Sequence, residues 1–198
     1  MSSRKEIKMF LLAILIISLA GSLMAQNLNR PNKEGPMGVQ VNTLSGNVFI
    51  KRTDDYIASR GFNINLTFYY NSFDFDRNVG FGNGWRCLYS VNYAVDTMDN
   101  VTITWGDGRE DLYVKNGTNY EAEKGIFATL SQYQPGKFLL TKPDGTKFFF
   151  DDSVYKKISK MSEPNGNYLQ FTYTDSLLTS ISTTAGQSIT LAYNLRNT

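Results

Sequence analysis

Between Arg60 and Tyr93 apolar and polar residues alternate with the two-residue period of a β-strand. Phe62, Ile64, Leu66, Phe68 and Tyr70 fall on one side of the first half. Trp85, Cys87, Tyr89, Val91, Tyr93 and Val95 do the same in the second. Each half predicts a long strand with one apolar face, and the turn formers of Ser72–Gly84 separate them. Upstream, Val39–Val41 and Val48–Ile50 flank Ser45-Gly46-Asn47, a hairpin signature, and polar Lys51–Asp55 reads as the connection to the central strands.

Downstream the same grammar recurs. Val101, Ile103 and Trp105 alternate, Gly106-Asp107-Gly108 turns the chain, and Leu112–Val114 returns. Asn116-Gly117 is a tight-turn pair, since both residue types tolerate positive φ. Gly125–Leu130 and Phe138–Thr141 read as short strands, and Pro143-Asp144-Gly145 leads into Thr146–Phe150. The last third repeats itself: Gly166 and Gly186, Leu169 and Ile189, Phe171 and Leu191, and Tyr173 and Tyr193 match at an interval of twenty residues. A fixed period of that size implies one hairpin per unit, each burying its apolar face against its neighbours. Pro143–Asp151 resembles a shortened copy of the unit. The expected fold class is all-β: antiparallel hairpins in a meander, forming an open curved sheet.

The first 25 residues break this pattern. Arg4, Lys5 and Lys8 precede the apolar run Met9–Leu19, and small residues follow at Ala20, Gly21, Ser22 and Ala25. That layout predicts a secretory signal peptide over 1–25, a signal helix cleaved after Ala25 in preference to Ala20, and hence a secreted or cell-surface protein. The run falls short of the roughly 20 residues of a stable membrane span. A polar leader with two prolines follows over 26–38. Residues 39–152 form the first β module, 153–194 the two repeats, and 195–198 a tail.

Composition narrows the chemistry. Arg4, Lys5, Lys8 and Glu6 account for the net charge of +2, so the remaining surface is balanced and makes no case for nucleic acid. There is no histidine in the 198 residues, which removes His-dependent triads and His-based metal sites. Cys87 is the single cysteine and lies on the apolar side of its alternation, as a buried structural thiol would. Asp74, Asp76 and Asn78 open like a calcium loop, but Trp85 stands where the bidentate glutamate belongs. Asp54-Asp55, Asp96 with Asp99, and Asp151-Asp152 are the candidate carboxylate pairs, all beside turns. Aromatics make up 14% of the chain. Tyr69, Phe73, Phe75, Tyr113, Tyr120 and Tyr133 lie off the strongest apolar faces, and an exposed row of them would stack on sugar rings.

Glu163-Pro164-Asn165-Gly166-Asn167, followed by Leu169-Gln170-Phe171-Thr172-Tyr173, resembles the Rhs/YD repeat. Three upstream stretches resemble the N-terminal module that precedes such repeats. The first holds Asn42, Gly46 and Asn47, the second Tyr70-Asn71-Ser72, and the third Gly80-Phe81-Gly82-Asn83-Gly84-Trp85. The resemblance implies the opening part of a β shell that encloses a toxin or stands on a cell surface, without cleavage region or toxin. It implies a non-enzymatic scaffold without a cofactor. Its partners would be further repeats or a C-terminal toxin encoded downstream, or a second copy through the open sheet edge Ile189–Tyr193. A carbohydrate- or surface-binding β module is the alternative expectation.

Overall fold

The computed structural model describes residues 38–194. The signal segment with Ala25, the leader over 26–37 and the tail over 195–198 lie outside the described residues. The described chain is all-β, and every strand pairs antiparallel with a sequence neighbour. Three open sheets result. The first contains β1 (Val39–Val41), β2 (Val48–Ile57), β3 (Ile64–Asn71) and β4 (Trp85–Cys87). The second contains β5 (Asn92–Val95), β6 (Val101–Thr104), β7 (Glu110–Asn116) and β8 (Asn119–Ala122). The third begins with β9 (Thr129–Gln134), β10 (Lys137–Thr141), β11 (Lys147–Phe150) and β12 (Lys160–Ser162). It continues through β13 (Tyr168–Thr174), β14 (Leu177–Thr183) and β15 (Ser188–Thr190). Among the described residues no helix is long and apolar enough to cross a membrane.

One core serves all three sheets. Ile64, Cys87, Val101, Ile103, Phe138, Phe150, Ile158, Leu169 and Ile181 belong to a single buried cluster. Tyr89 meets Phe171 at 5.2 Å between ring centroids, and Tyr93 meets Phe138 at 4.9 Å, so rings from the first half sit on the repeat sheet. Backbone bonds reinforce the junction: Tyr93 N–H donates to Lys156 O (2.9 Å) and Ile158 N–H to Val91 O (3.0 Å).

The predicted strand from Trp85 to Val95 is two strands in two sheets. Ser90 breaks it, its N–H donating to Cys87 O at 2.8 Å and its Oγ accepting the Cys87 N–H at 3.1 Å. The apolar side nevertheless stays inward across the break, with Cys87, Tyr89, Val91 and Tyr93 all buried. Lys51–Asp55 belongs to β2 instead of forming a connection. Its polarity reflects exposure on both faces: Arg52 pairs with Asp54 at 2.5 Å and its guanidinium lies 5.2 Å over Trp85. A register shift between Thr53 and Asp55 hides what alternation remains. On β7 the inward residues are Asp111 and Tyr113, and Val114 faces solvent. Asp111 is drawn in because its Oδ2 accepts the Trp105 indole N–H at 2.7 Å and meets Arg109 at 3.2 Å. The stretch predicted as Gly125–Leu130 becomes a strand only from Thr129, and the C-terminal strand ends at Thr190.

Candidate functional site

The repeat seen in the sequence is a hairpin with a fixed register. Lys160 faces Gln170, Met161 faces Leu169 and Ser162 faces Tyr168. Twenty residues on, Ser180 faces Thr190, Ile181 faces Ile189 and Ser182 faces Ser188. The bond Phe171 N–H to Ser159 O (2.9 Å) returns as Leu191 N–H to Thr179 O (2.9 Å). The same frame holds upstream, where Leu140 faces Phe148 and Ile103 faces Asp111. Thus the shortened copy at Pro143–Asp151 is a full hairpin of the same sheet, and β6–β7 is a further one in the second sheet.

Each of these hairpins closes with the same five-residue turn. The first N–H donates to the last carbonyl and the glycine N–H to the first carbonyl, at 2.8–3.1 Å, in Trp105–Arg109, Lys142–Thr146, Glu163–Asn167 and Thr183–Gln187. Gly166 and Gly186 both sit at φ +90°, a conformation that L side chains reach only with strain. In three copies the third residue's side chain, Asp107, Asp144 or Asn165, accepts the N–H two residues on. Ala185 cannot, and Thr183 Oγ1 takes the Gln187 N–H instead at 3.2 Å. That substitution is why the copy without proline or Asx still turns. Apart from its chain neighbours, a methyl group on either Gly166 or Gly186 would meet no atom of the described residues within 4 Å. Gly166→Ala and Gly186→Ala therefore test conformation alone, and each is expected to cost about 1–2 kcal/mol in urea unfolding. Equal stability to the parent would contradict the turn assignment.

The upstream signature residues assemble into one joint. Asn42 Oδ1 accepts the Leu44 and Ser45 N–H groups, and Gly46 turns the loop at φ +75°. Asn47 is buried and its Oδ1 accepts the Ser72 hydroxyl at 2.8 Å, while Ser72 Oγ accepts the Val48 N–H at 2.9 Å. Asn71 caps the 3-10 turn Ser72–Asp74 through the Phe73 N–H, and its own N–H reaches Gly84 O at 3.0 Å. Tyr70 stacks on Trp85 at 5.4 Å, and a side chain at Gly84 would collide with the Tyr70 ring at 2.8 Å. Gly82 accepts the Trp85 N–H on its carbonyl and lies at φ +101°. These residues hold the β1–β2 loop, the 3-10 turn and β4 together.

From this joint Gly80-Phe81 reaches the last repeat. A side chain at Gly80 would strike Leu177 at 2.6 Å and Tyr193 at 3.1 Å, and Phe81 stacks on Tyr193 at 5.8 Å. Tyr193 also donates its hydroxyl to Leu178 O at 2.7 Å. Burial pushes the Tyr193 phenol up to about 12. Beside β15 the contact opens into a groove of about 940 Å³, lined by Phe68, Phe81, Leu177, Leu191 and Tyr193 among others. Its walls are apolar rings, aliphatic groups, asparagine amides and backbone. Tyr173, the equivalent of Tyr193 one unit earlier, is covered, with the Lys157 ammonium 5.4 Å over its ring.

The aromatic residues predicted to lie off the apolar faces do not form a row. Tyr113 is fully buried, Tyr120 packs on Phe138 at 5.6 Å, and Tyr69 is half-buried against Phe49. Only Phe73, Phe75 and Tyr133 remain exposed, and Tyr133 donates its hydroxyl to Asp151. The carboxylates are committed to local contacts. Asp54 pairs with Arg52, Asp55 accepts the Tyr56 N–H, and Asp99 pairs with Lys115. Asp96 accepts from Met98 and Asn100, and Asp152 accepts the Val154 and Tyr155 N–H groups. Asp74, first of the calcium-like acids, binds Arg86 at 2.6 Å.

Cys87 is buried, as its alternation predicts, and burial pushes its thiol up to about 11. Thiol reagents at pH 8 are therefore expected to label Cys87 only as fast as the protein unfolds. Rapid labelling of the native protein would contradict the burial. The raised value also carries a linkage effect. The unfolded thiol, with its ordinary value of 9.0, ionises first, so this contribution to stability is intact below pH 9 and lost between pH 9 and about 11.

No curated protein matches the chain. A family described only as a domain of unknown function, DUF6531, matches residues 38–113, the stretch that carries the Asn42–Trp85 joint and ends within β7.

Proposed function

We propose that the chain is an exported, non-enzymatic β scaffold resembling the opening part of an Rhs/YD-repeat shell, and that its open edge at β15 receives further strands. The observation that carries this reading is the repeated register: the pairing of β12 with β13 returns in β14 and β15 at a shift of twenty residues. A meander built this way adds units without changing the frame, because each hairpin buries its inward residues against the next. The groove beside Leu191 and Tyr193 offers apolar surface to a further unit. The N-terminal joint fixes the first sheet and places Phe81 against the last hairpin.

The test is to append one twenty-residue unit copied from Lys157–Ser176 and measure thermal unfolding. A stacked unit should raise the midpoint by several degrees, roughly the effect of 1–3 kcal/mol on a domain of this size. An unchanged midpoint with the appended segment open to protease would remove the support for this reading. Export is tested by sequencing the N-terminus of the secreted product, expected to begin at Gln26.

Partners follow from the same edge. The segment Ser188–Asn194 carries no charge and no proline, the usual guards against edge pairing. Self-association at high concentration is expected, and Thr190→Lys should reduce it by placing a charge on the half-paired strand. A parent chain that stays monomeric at that concentration would argue against an available edge.

A further inference from the structure

Arg86 is 3% exposed, and its guanidinium is incompletely paired. Its Nε donates to Asp74 Oδ2 at 2.6 Å, but Nη1 is buried with no hydrogen-bond partner among the described residues. A buried charged donor left unmade is costly, so such a nitrogen marks a place for an acceptor. Arg86 lines a cleft of about 180 Å³ between the Asn71–Asp74 turn and the tip of the β6–β7 hairpin. Arg77 stands at the mouth, 61% exposed, with only long contacts to Asp74 (3.4 Å) and Glu110 (3.8 Å). Asn71 uses its Oδ1 on the Phe73 N–H, and its Nδ2 faces Gly108 on the cleft wall.

We infer that this cleft binds a carboxylate, held by Arg86, Arg77 and the Asn71 amide. The two arginines carry more N–H donors than Asp74 and Glu110 accept in this geometry, and both side chains line the space. Local charge is balanced by the two acids, so a guest carboxylate takes Arg77 from Glu110 instead of meeting a surplus of positive charge. The planar guanidinium forks suit a two-oxygen acceptor better than a spherical ion. The cleft volume accepts the end of an acidic side chain or a small dicarboxylate, about six water volumes in size. The exposed ring of Phe73 at the rim gives an apolar contact to the carbon chain that carries it.

The test uses glutarate as probe and neutral glutaramide as control, reading the Arg86 Nε–H signal by ¹⁵N NMR. Glutarate should shift that signal saturably and glutaramide should not. Arg77→Gln, at an exposed position that leaves the fold intact, should weaken glutarate binding by about tenfold, the loss of one charge-assisted hydrogen bond. An unmoved Arg86 signal, equal shifts with both probes, or unchanged affinity in Arg77→Gln would each overturn the assignment. None of these results bears on the scaffold reading.

Discussion

Gly106→Ala is expected to be the most damaging single substitution in the described chain. A Cβ there would lie 2.3 Å from Leu88 O, 2.4 Å from Cys87 O and 2.6 Å from Leu88 C, all backbone atoms. Side chains can rotate away from a new methyl group, but this strand-to-sheet crossing cannot. The β6–β7 turn lies against the Leu88 peptide just where the chain passes from β4 towards β5. Overpacking typically costs 1–3 kcal/mol when side chains can give, and more when they cannot. We expect a loss above about 4 kcal/mol, read as failure to fold or a collapsed urea midpoint. Gly117→Ala is the control, since apart from its chain neighbours its Cβ would meet no described atom within 4 Å and the cost there is conformational alone. Equal losses at the two positions would show that the close approach at Gly106 is not what matters.

Phe138→Ala is expected to cost about 3–5 kcal/mol, the range for emptying a buried aromatic site. Phe138 is 1% exposed and takes ring edges from Tyr93 of β5 at 4.9 Å and Tyr120 of β8 at 5.6 Å. It therefore joins the second sheet to the third, and its loss should lower the urea midpoint in one cooperative transition. Phe127→Ala, at 81% exposure, should stay within about 0.5 kcal/mol of the parent. Two separate transitions in the Phe138 variant would mean that the sheets unfold independently and that the common core is not shared.

Much of the fold was readable because burial and alternation coincide. Cys87, Tyr89, Val91 and Tyr93 keep one side inward even though the chain leaves one sheet and enters another between them. The break itself was hidden, since Ser90 turns the backbone through hydrogen bonds that apolar patterning does not encode. On β2 the signal failed for the opposite reason: a strand whose middle is exposed on both faces has no apolar side to announce it. Asp111 misled in a third way. A carboxylate satisfied by an indole N–H and a guanidinium can occupy a position where the equivalent hairpins place Phe148, Leu169 and Ile189.

At the candidate site, the glycine turns and the twenty-residue interval were legible because only a few residue types reach positive φ. The contact of Gly80-Phe81 with Tyr193 was not, since it joins positions more than a hundred residues apart and no local period reports it. The Arg86 cleft was equally silent. A single arginine in a strand looks like any solvated charge until its burial and its unpaired nitrogen are seen.

Cross-strand nuclear Overhauser effects measure the register of the repeated hairpin directly. Contacts are expected to join Leu140 to Phe148, Met161 to Leu169 and Ile181 to Ile189, three pairs in one frame. A pairing slipped by one residue in any of them would turn its apolar side chains to the opposite face. Such a slip, or the absence of the Ile181–Ile189 contact, would contradict a sheet built by repeating one hairpin.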